Sequence, residues 1–108
     1  MKAKNYIVLT DEKGDVEGFA SFLEREIPHT HKGQNVIVNL LKYKNLKPQQ
    51  LIKFIEISNS HRKTKQSFVL VSGAIDPDET PTELMVVPTL QEAVDVVEME
   101  GIERDLGF

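Results

Sequence analysis

The sequence predicts an α/β fold: one domain, residues 1–108, built on a mostly parallel four-stranded sheet covered by about three helices. Three observations point there. Short apolar, β-branched runs alternate with amphipathic stretches, the order that a parallel sheet with helical crossovers produces. The run Val36-Ile37-Val38-Asn39-Leu40-Leu41 is almost continuously apolar, as in a strand covered on both faces. Near the end, Met85-Val86-Val87 stops at Pro88 and a helix signal follows at once. There Thr89 and Glu92 have the spacing of a capping box, in which the threonine oxygen takes a first-turn amide and the glutamate reaches back to the threonine amide.

Taken in order, Tyr6 to Thr10 is the first strand and Asp11-Glu12-Lys13-Gly14 a turn. Asp15 is expected to cap a helix that carries Val16, Phe19, Leu23 and Ile27 at helical spacing and ends at Pro28. Asn35 to Leu41 is the second strand and Lys42 to Lys47 a basic loop. Pro48 suits the first position of the next helix, which has Leu51, Ile52, Phe54, Ile55 and Ser58 on or near one face. It closes near His61-Arg62-Lys63, where cations suit the negative end of the helix dipole. Ser67 to Ser72 is a third strand. Gly73 to Thr82, with Asp76-Pro77-Asp78 and Pro81, reads as a loop. Glu83 to Val87 is the last strand, and Leu90 to about Glu100 the last helix, with Leu90, Val94 and Val97 on one face. Gly101 is expected to interrupt that helix before Ile102, Leu106 and Phe108 pack back. The expected helices thus lie near 15–27, 48–62 and 90–100.

Composition narrows the chemistry. With 40% hydrophobic residues the chain can fill one core without staples, and with no cysteine it has no disulfide, thiol nucleophile or thiolate metal site. The apolar run Tyr6 to Leu9 is too short for a signal peptide or a membrane span, so a cytoplasmic location is expected. The net charge of −4 is unevenly spread. Lysines and arginines dominate from Lys32 to Lys65, and acids from Asp76 to Asp105. Such polarity steers a charged partner or allows self-association through the oppositely charged regions.

The segment Val36-Ile37-Val38-Asn39-Leu40-Leu41-Lys42-Tyr43-Lys44-Asn45-Leu46-Lys47-Pro48-Gln49-Gln50-Leu51 resembles the core of STAS domains, the fold of bacterial anti-sigma factor antagonists. In that family a strand with Asp or Asn near its end leads through a short loop to Asp-Ser-Ser-Gly-Leu at a helix start. Asn39 matches the strand position and Leu51 the leucine. Phe68 to Val71, and the strand and capped helix from Val86 to Val97, are similar to later parts of the family. The resemblance implies a STAS-like domain whose partner surface is this loop and helix start. It also implies a departure: Lys47-Pro48-Gln49-Gln50 stands where the family has its phosphorylated serine, and Gln49 cannot accept phosphate. The ending Gly101-Ile102-Glu103-Arg104-Asp105-Leu106-Gly107-Phe108 further resembles short bacterial proteins often called ribonuclease Z. That activity needs a His-x-His-x-Asp-His cluster, whereas this chain has His29-Thr30-His31-Lys32-Gly33-Gln34.

Other chemistry is poorly provided for. His29, His31 and His61 fall at the amino edge of the expected sheet, among Lys32, Arg62, Lys63 and Lys65, with no carboxylate near in sequence. They are read as solvated loop and helix-end histidines, and no metal or cofactor is expected. Ser58-Asn59-Ser60-His61 lacks a nameable orienting acid and oxyanion hole, and no glycine-rich phosphate loop occurs. The reading is therefore a non-enzymatic, regulatory protein-interaction domain with an acidic protein partner. Its surface comprises Lys42, Tyr43, Lys44, Leu46, Lys47, Gln49 and Gln50, with Tyr43 and Leu46 as apolar anchors and the lysines steering. The alternative is an accessory RNA-binding factor in tRNA 3′-end processing, in which Lys42-Tyr43-Lys44 would supply phosphate contacts and one stacking ring.

Overall fold

The computed structural model describes residues 6–107. Its sheet has four strands in the order β1 (Tyr6–Thr10), β2 (Asn35–Asn39), β3 (Phe68–Val71) and β4 (Val86–Val87), and every neighbouring pair is parallel. The helices are α1 (Val16–Thr30), α2 (Ile52–Arg62) and α3 (Leu90–Asp105), and a 3-10 turn at Pro48–Leu51 leads into α2. This is the α/β class that the alternation of runs predicts.

Topology follows from handedness. Two successive right-handed crossovers in one direction put α1 and α2 on the same face of the sheet. That face holds Val36, Val38, Leu40, Phe68 and Leu70, packed against Phe19, Leu23, Ile27, Phe54 and Ile57. Alternate strand residues Ile37, Val69 and Val71 point the other way and meet Ala93 and Val97 of α3. No helix joins β3 to β4. The connection instead carries one 3-10 turn, Pro77–Glu79, and tucks Ile75 and Leu84 into the larger core.

Several boundaries differ from expectation for local reasons. Pro28 lies inside α1 rather than ending it, and the His31 amide closes the last turn on the Ile27 carbonyl at 2.9 Å. A proline removes one helical hydrogen bond, and one turn from the end that loss is tolerated. Asp15 has the extended backbone of an N-cap but its side chain makes no capping bond. β2 ends at Asn39, whose side chain accepts the Leu41 amide at 3.0 Å and so turns the chain out of the sheet. β3 is one residue shorter at each end than read, and β4 keeps only Val86 and Val87.

In the last helix, Thr89 Oγ1 accepts the Glu92 amide at 3.1 Å, as the capping box requires. Glu92, however, accepts from the Thr89 hydroxyl rather than its amide. The face buried on the sheet is Ala93 and Val97, while Leu90 is exposed. α3 also runs through Gly101 to Asp105, and Ile102 and Leu106 stay exposed instead of packing back; Phe108 lies outside the described residues. The continuation has a cause far away in sequence. Arg104 donates to Asn35 Oδ1 at 3.3 Å and to Ser67 Oγ at 3.4 Å, and Glu100 accepts from Ser67 Oγ at 2.5 Å and from Arg62 at 3.2 Å. This network ties the end of α3 to the amino edge of β2 and β3.

Candidate functional site

The carboxyl edge of the sheet is the region that the sequence reading singles out, and its organising residue is Asp11. It directly follows β1 and is buried. Its carboxylate accepts the amides of Lys13 at 2.9 Å and of Gly14 and Asp15 at 3.0 Å each. Gly14 sits at φ +84°, a conformation that favours glycine, and this lets three successive amides turn onto one carboxylate. The same carboxylate accepts the Tyr43 hydroxyl, and the Asp11 carbonyl accepts Lys42 Nζ at 2.9 Å. Two loops 32 residues apart in sequence are thereby locked together.

The electrostatics agree with that geometry. Burial works to raise the Asp11 carboxyl, but hydrogen bonds from Tyr43 and from the amides of Lys13, Asp15 and Gly14 outweigh it, and the group is held below its ordinary value. Tyr43 moves the opposite way. Burial, its bond to Asp11 and the negative charges of Asp11 and Asp15 hold its phenol well above the usual value. The pair is a carboxylate and a neutral phenol across the neutral range.

The seven expected surface residues are divided by the structure. Lys42, Lys44, Lys47 and Gln49 are exposed. Tyr43 is half-buried and packs against the larger core, so its ring is a strut as much as a contact. Leu46 is only 6% exposed and belongs to that core, which corrects its expected role as an apolar anchor. Gln50 accepts the Lys47 amide at 2.8 Å and so shapes the turn into α2. Asp11 is the residue that sequence reading passes over. Its signal was an Asp between the end of a strand and a glycine turn, where three amides need an acceptor.

The opposite, amino edge also differs from expectation. His29 is exposed, but His61 is 3% exposed, with its ring edge-on to Phe68 at 6.3 Å. His61 Nε2 donates to the Gln34 carbonyl at 2.6 Å, while His31 Nδ1 lies 2.8 Å from Gln34 Oε1. Burial, with the nearby charges of His31 and Arg62, depresses the His61 pKa despite the bond to Gln34. His61 is therefore a buried, neutral histidine rather than a solvated one. Carboxylates absent from its sequence neighbourhood arrive through the fold. Glu24 and Glu56 line a pocket of about 260 Å³ with His61, Ser60 and Lys32. Even so, no three His, Cys, Asp or Glu side chains among the described residues gather as a metal-ligand set. Ser58 Oγ is buried with no hydrogen-bond partner among the described residues.

No helix among the described residues is long and apolar enough to cross a membrane. Compared with known proteins, the chain matches no family model and no curated sequence.

Proposed function

We propose that this chain is a non-catalytic, cytoplasmic regulatory domain of STAS type that lacks the phosphorylatable serine and binds another protein through the surface from Lys42 to Gln50. The observation that carries the reading is the Asp11 anchor. A loop held by Tyr43 and Lys42 to the neighbouring turn loses little freedom when a partner docks, and preorganisation of this kind is converted into affinity. Exposed Lys42, Lys44 and Lys47 give it a positive field suited to an acidic protein face. Buried Leu46 contributes by fixing the loop from beneath. Protein binding is favoured over RNA binding because the Tyr43 hydroxyl is committed to Asp11 and its ring to the core, which leaves little free face for a base to stack on.

The test is a pull-down from native lysate with the wild-type chain as bait, beside Tyr43→Ala and Lys44→Glu. A specific protein retained by the wild type and lost with both variants supports the reading. Retention that ignores both substitutions contradicts it, and salt-sensitive retention of tRNA in place of protein moves the assignment to RNA.

A further inference from the structure

The groove between α1 and α2, towards the amino edge of the sheet, gathers hydrogen-bond acceptors that the fold leaves unused. Glu24, Ile27 and Pro28 of α1 and Glu56, Ile57 and His61 of α2 line one hollow of about 260 Å³. Its floor is apolar, since Ile27 and Ile57 are both buried. Three separate causes put acceptors around that floor.

The first is Pro28. A helical amide bonds to the carbonyl four residues back, and proline has no amide, so the Glu24 carbonyl is left without its helical partner. The Ile27 carbonyl, further along, is closed by the His31 amide at 2.9 Å, so the gap at Glu24 lies within the helix and not at its end. The second is His61. Its Nε2 donates to the Gln34 carbonyl at 2.6 Å, which in a neutral ring leaves a lone pair on Nδ1. Nδ1 has no partner among the described residues. It is not sealed off either, because Ser58 Oγ is the one described side-chain atom that is both sealed and unpartnered. His61 is only 3% exposed and lines the hollow, so the opening that Nδ1 keeps is the hollow itself.

The third is a pair of carboxylates. Glu24 and Glu56 come from different helices, and neither carboxylate makes a hydrogen bond or ion pair among the described residues. Lys53, about one turn before Glu56 on α2, donates to the Ser21 hydroxyl at 3.0 Å instead.

An aliphatic floor ringed by acceptors matches a ligand that is apolar at one end and rich in donors at the other. A primary ammonium has three donors and no acceptor, and its charge complements both carboxylates. The hollow lies just below the usual range for drug-sized ligands, about 300–1,000 Å³, so the molecule that fits is small. We propose that this groove binds a small alkylammonium ion. Its N–H groups are shared among the Glu24 carbonyl, His61 Nδ1 and the carboxylates of Glu24 and Glu56, and its chain lies on Ile27 and Ile57. Lys32 is the one lysine or arginine among the described residues that lines the hollow, and it is exposed just beyond the end of α1. It repels an ammonium, so removing its charge tightens binding. A carboxylate or a zwitterion would need Lys32, and for such a ligand the same change weakens binding.

The test uses the whole chain, labelled with nitrogen-15, near neutral pH. The probe is n-pentylamine hydrochloride, with pentanol and pentanoate as controls of the same length. Millimolar affinity is the scale for an amine of this size. Pentylammonium is expected to shift amide signals around Glu24 and Glu56, and to move the His61 Nδ1 resonance upfield as its lone pair is taken up. Glu24→Gln together with Glu56→Gln should weaken binding about tenfold. Lys32→Gln should strengthen it about twofold. Pro28→Ala gives the Glu24 carbonyl an amide again, so it should weaken binding about fivefold while raising Tm. The opposite signs of those two changes separate a lost acceptor from a damaged fold. An Nδ1 resonance unmoved up to about 50 mM amine overturns the proposal. So does pentanol or pentanoate binding as tightly as the amine, or weaker amine binding by Lys32→Gln.

Discussion

Replacing Tyr43 with Phe removes one oxygen and leaves the ring in the core, so it isolates the bond that joins the two carboxyl-edge loops. A hydrogen bond to a charged group contributes about 1.5–3 kcal/mol. The lower part of that range applies here, because Asp11 keeps the amides of Lys13, Gly14 and Asp15 and is not left bare. About 2 kcal/mol is therefore expected. With an unfolding entropy of roughly 2.1 cal/mol/K per residue, 108 residues give about 0.23 kcal/mol/K, so Tm should fall by about 9 °C.

The pH dependence of this difference supplies its signature. Asp11 is held below its ordinary value, so its stabilisation is present above about pH 4 and is lost as pH falls towards the folded-state value. Tyr43 is held above its ordinary value, so the unfolded chain ionises first and the wild type loses stability above about pH 10. The gap between wild type and Tyr43→Phe should consequently be widest near neutrality and narrow at both extremes. Urea or thermal unfolding followed by circular dichroism across that range measures it. A loss of less than about 2 °C at neutral pH, or a gap independent of pH, would refute the reasoning and mean that the bond is not held in solution.

Three further outcomes follow from other parts of the fold. Leu46→Ala should cost about 2–5 kcal/mol in denaturant unfolding, because it empties a core position under the loop rather than trimming a surface contact. His61 is depressed below its ordinary 6.5, so the wild type should lose stability as pH falls below that value. His61→Gln, which can keep a donor towards the Gln34 carbonyl, should flatten that slope in pH-dependent melts. Lys65 holds φ at +67° just after α2, and Lys65→Gly should raise stability by about 1 kcal/mol by removing the left-handed strain, as read by Tm.

What the sequence made legible was set by local periodicity. Val16, Phe19, Leu23 and Ile27 recur at helical spacing and all four are buried, and the run after Asn35 is a central strand with no exposed face. The order of strands and helices then left little choice of topology. Features that depend on residues distant in sequence were not legible. Nothing near Gly101 announces that Arg104 will reach Asn35 and Ser67, so the glycine reads as a stop when it is a helical position. The Asp11 anchor joins residues on separate loops, each of which reads alone as an ordinary polar turn. His61 was within reach. Phe54, Ile57, Ser58 and His61 form one buried helical stripe, but a basic flank suggested solvent.

A partner that docks on the surface from Lys42 to Gln50 comes within reach of a probe there and of no probe elsewhere. A photo-crosslinking residue placed at Lys44, at Lys65 on the opposite edge of the sheet, and at Glu103 on α3 separates the three surfaces, since all three positions are exposed. After irradiation in native lysate, one dominant heterologous protein adduct is expected from position 44, weakened by added salt, and none of comparable yield from positions 65 or 103. Adducts that arise from position 65 or 103 while position 44 stays free would contradict it.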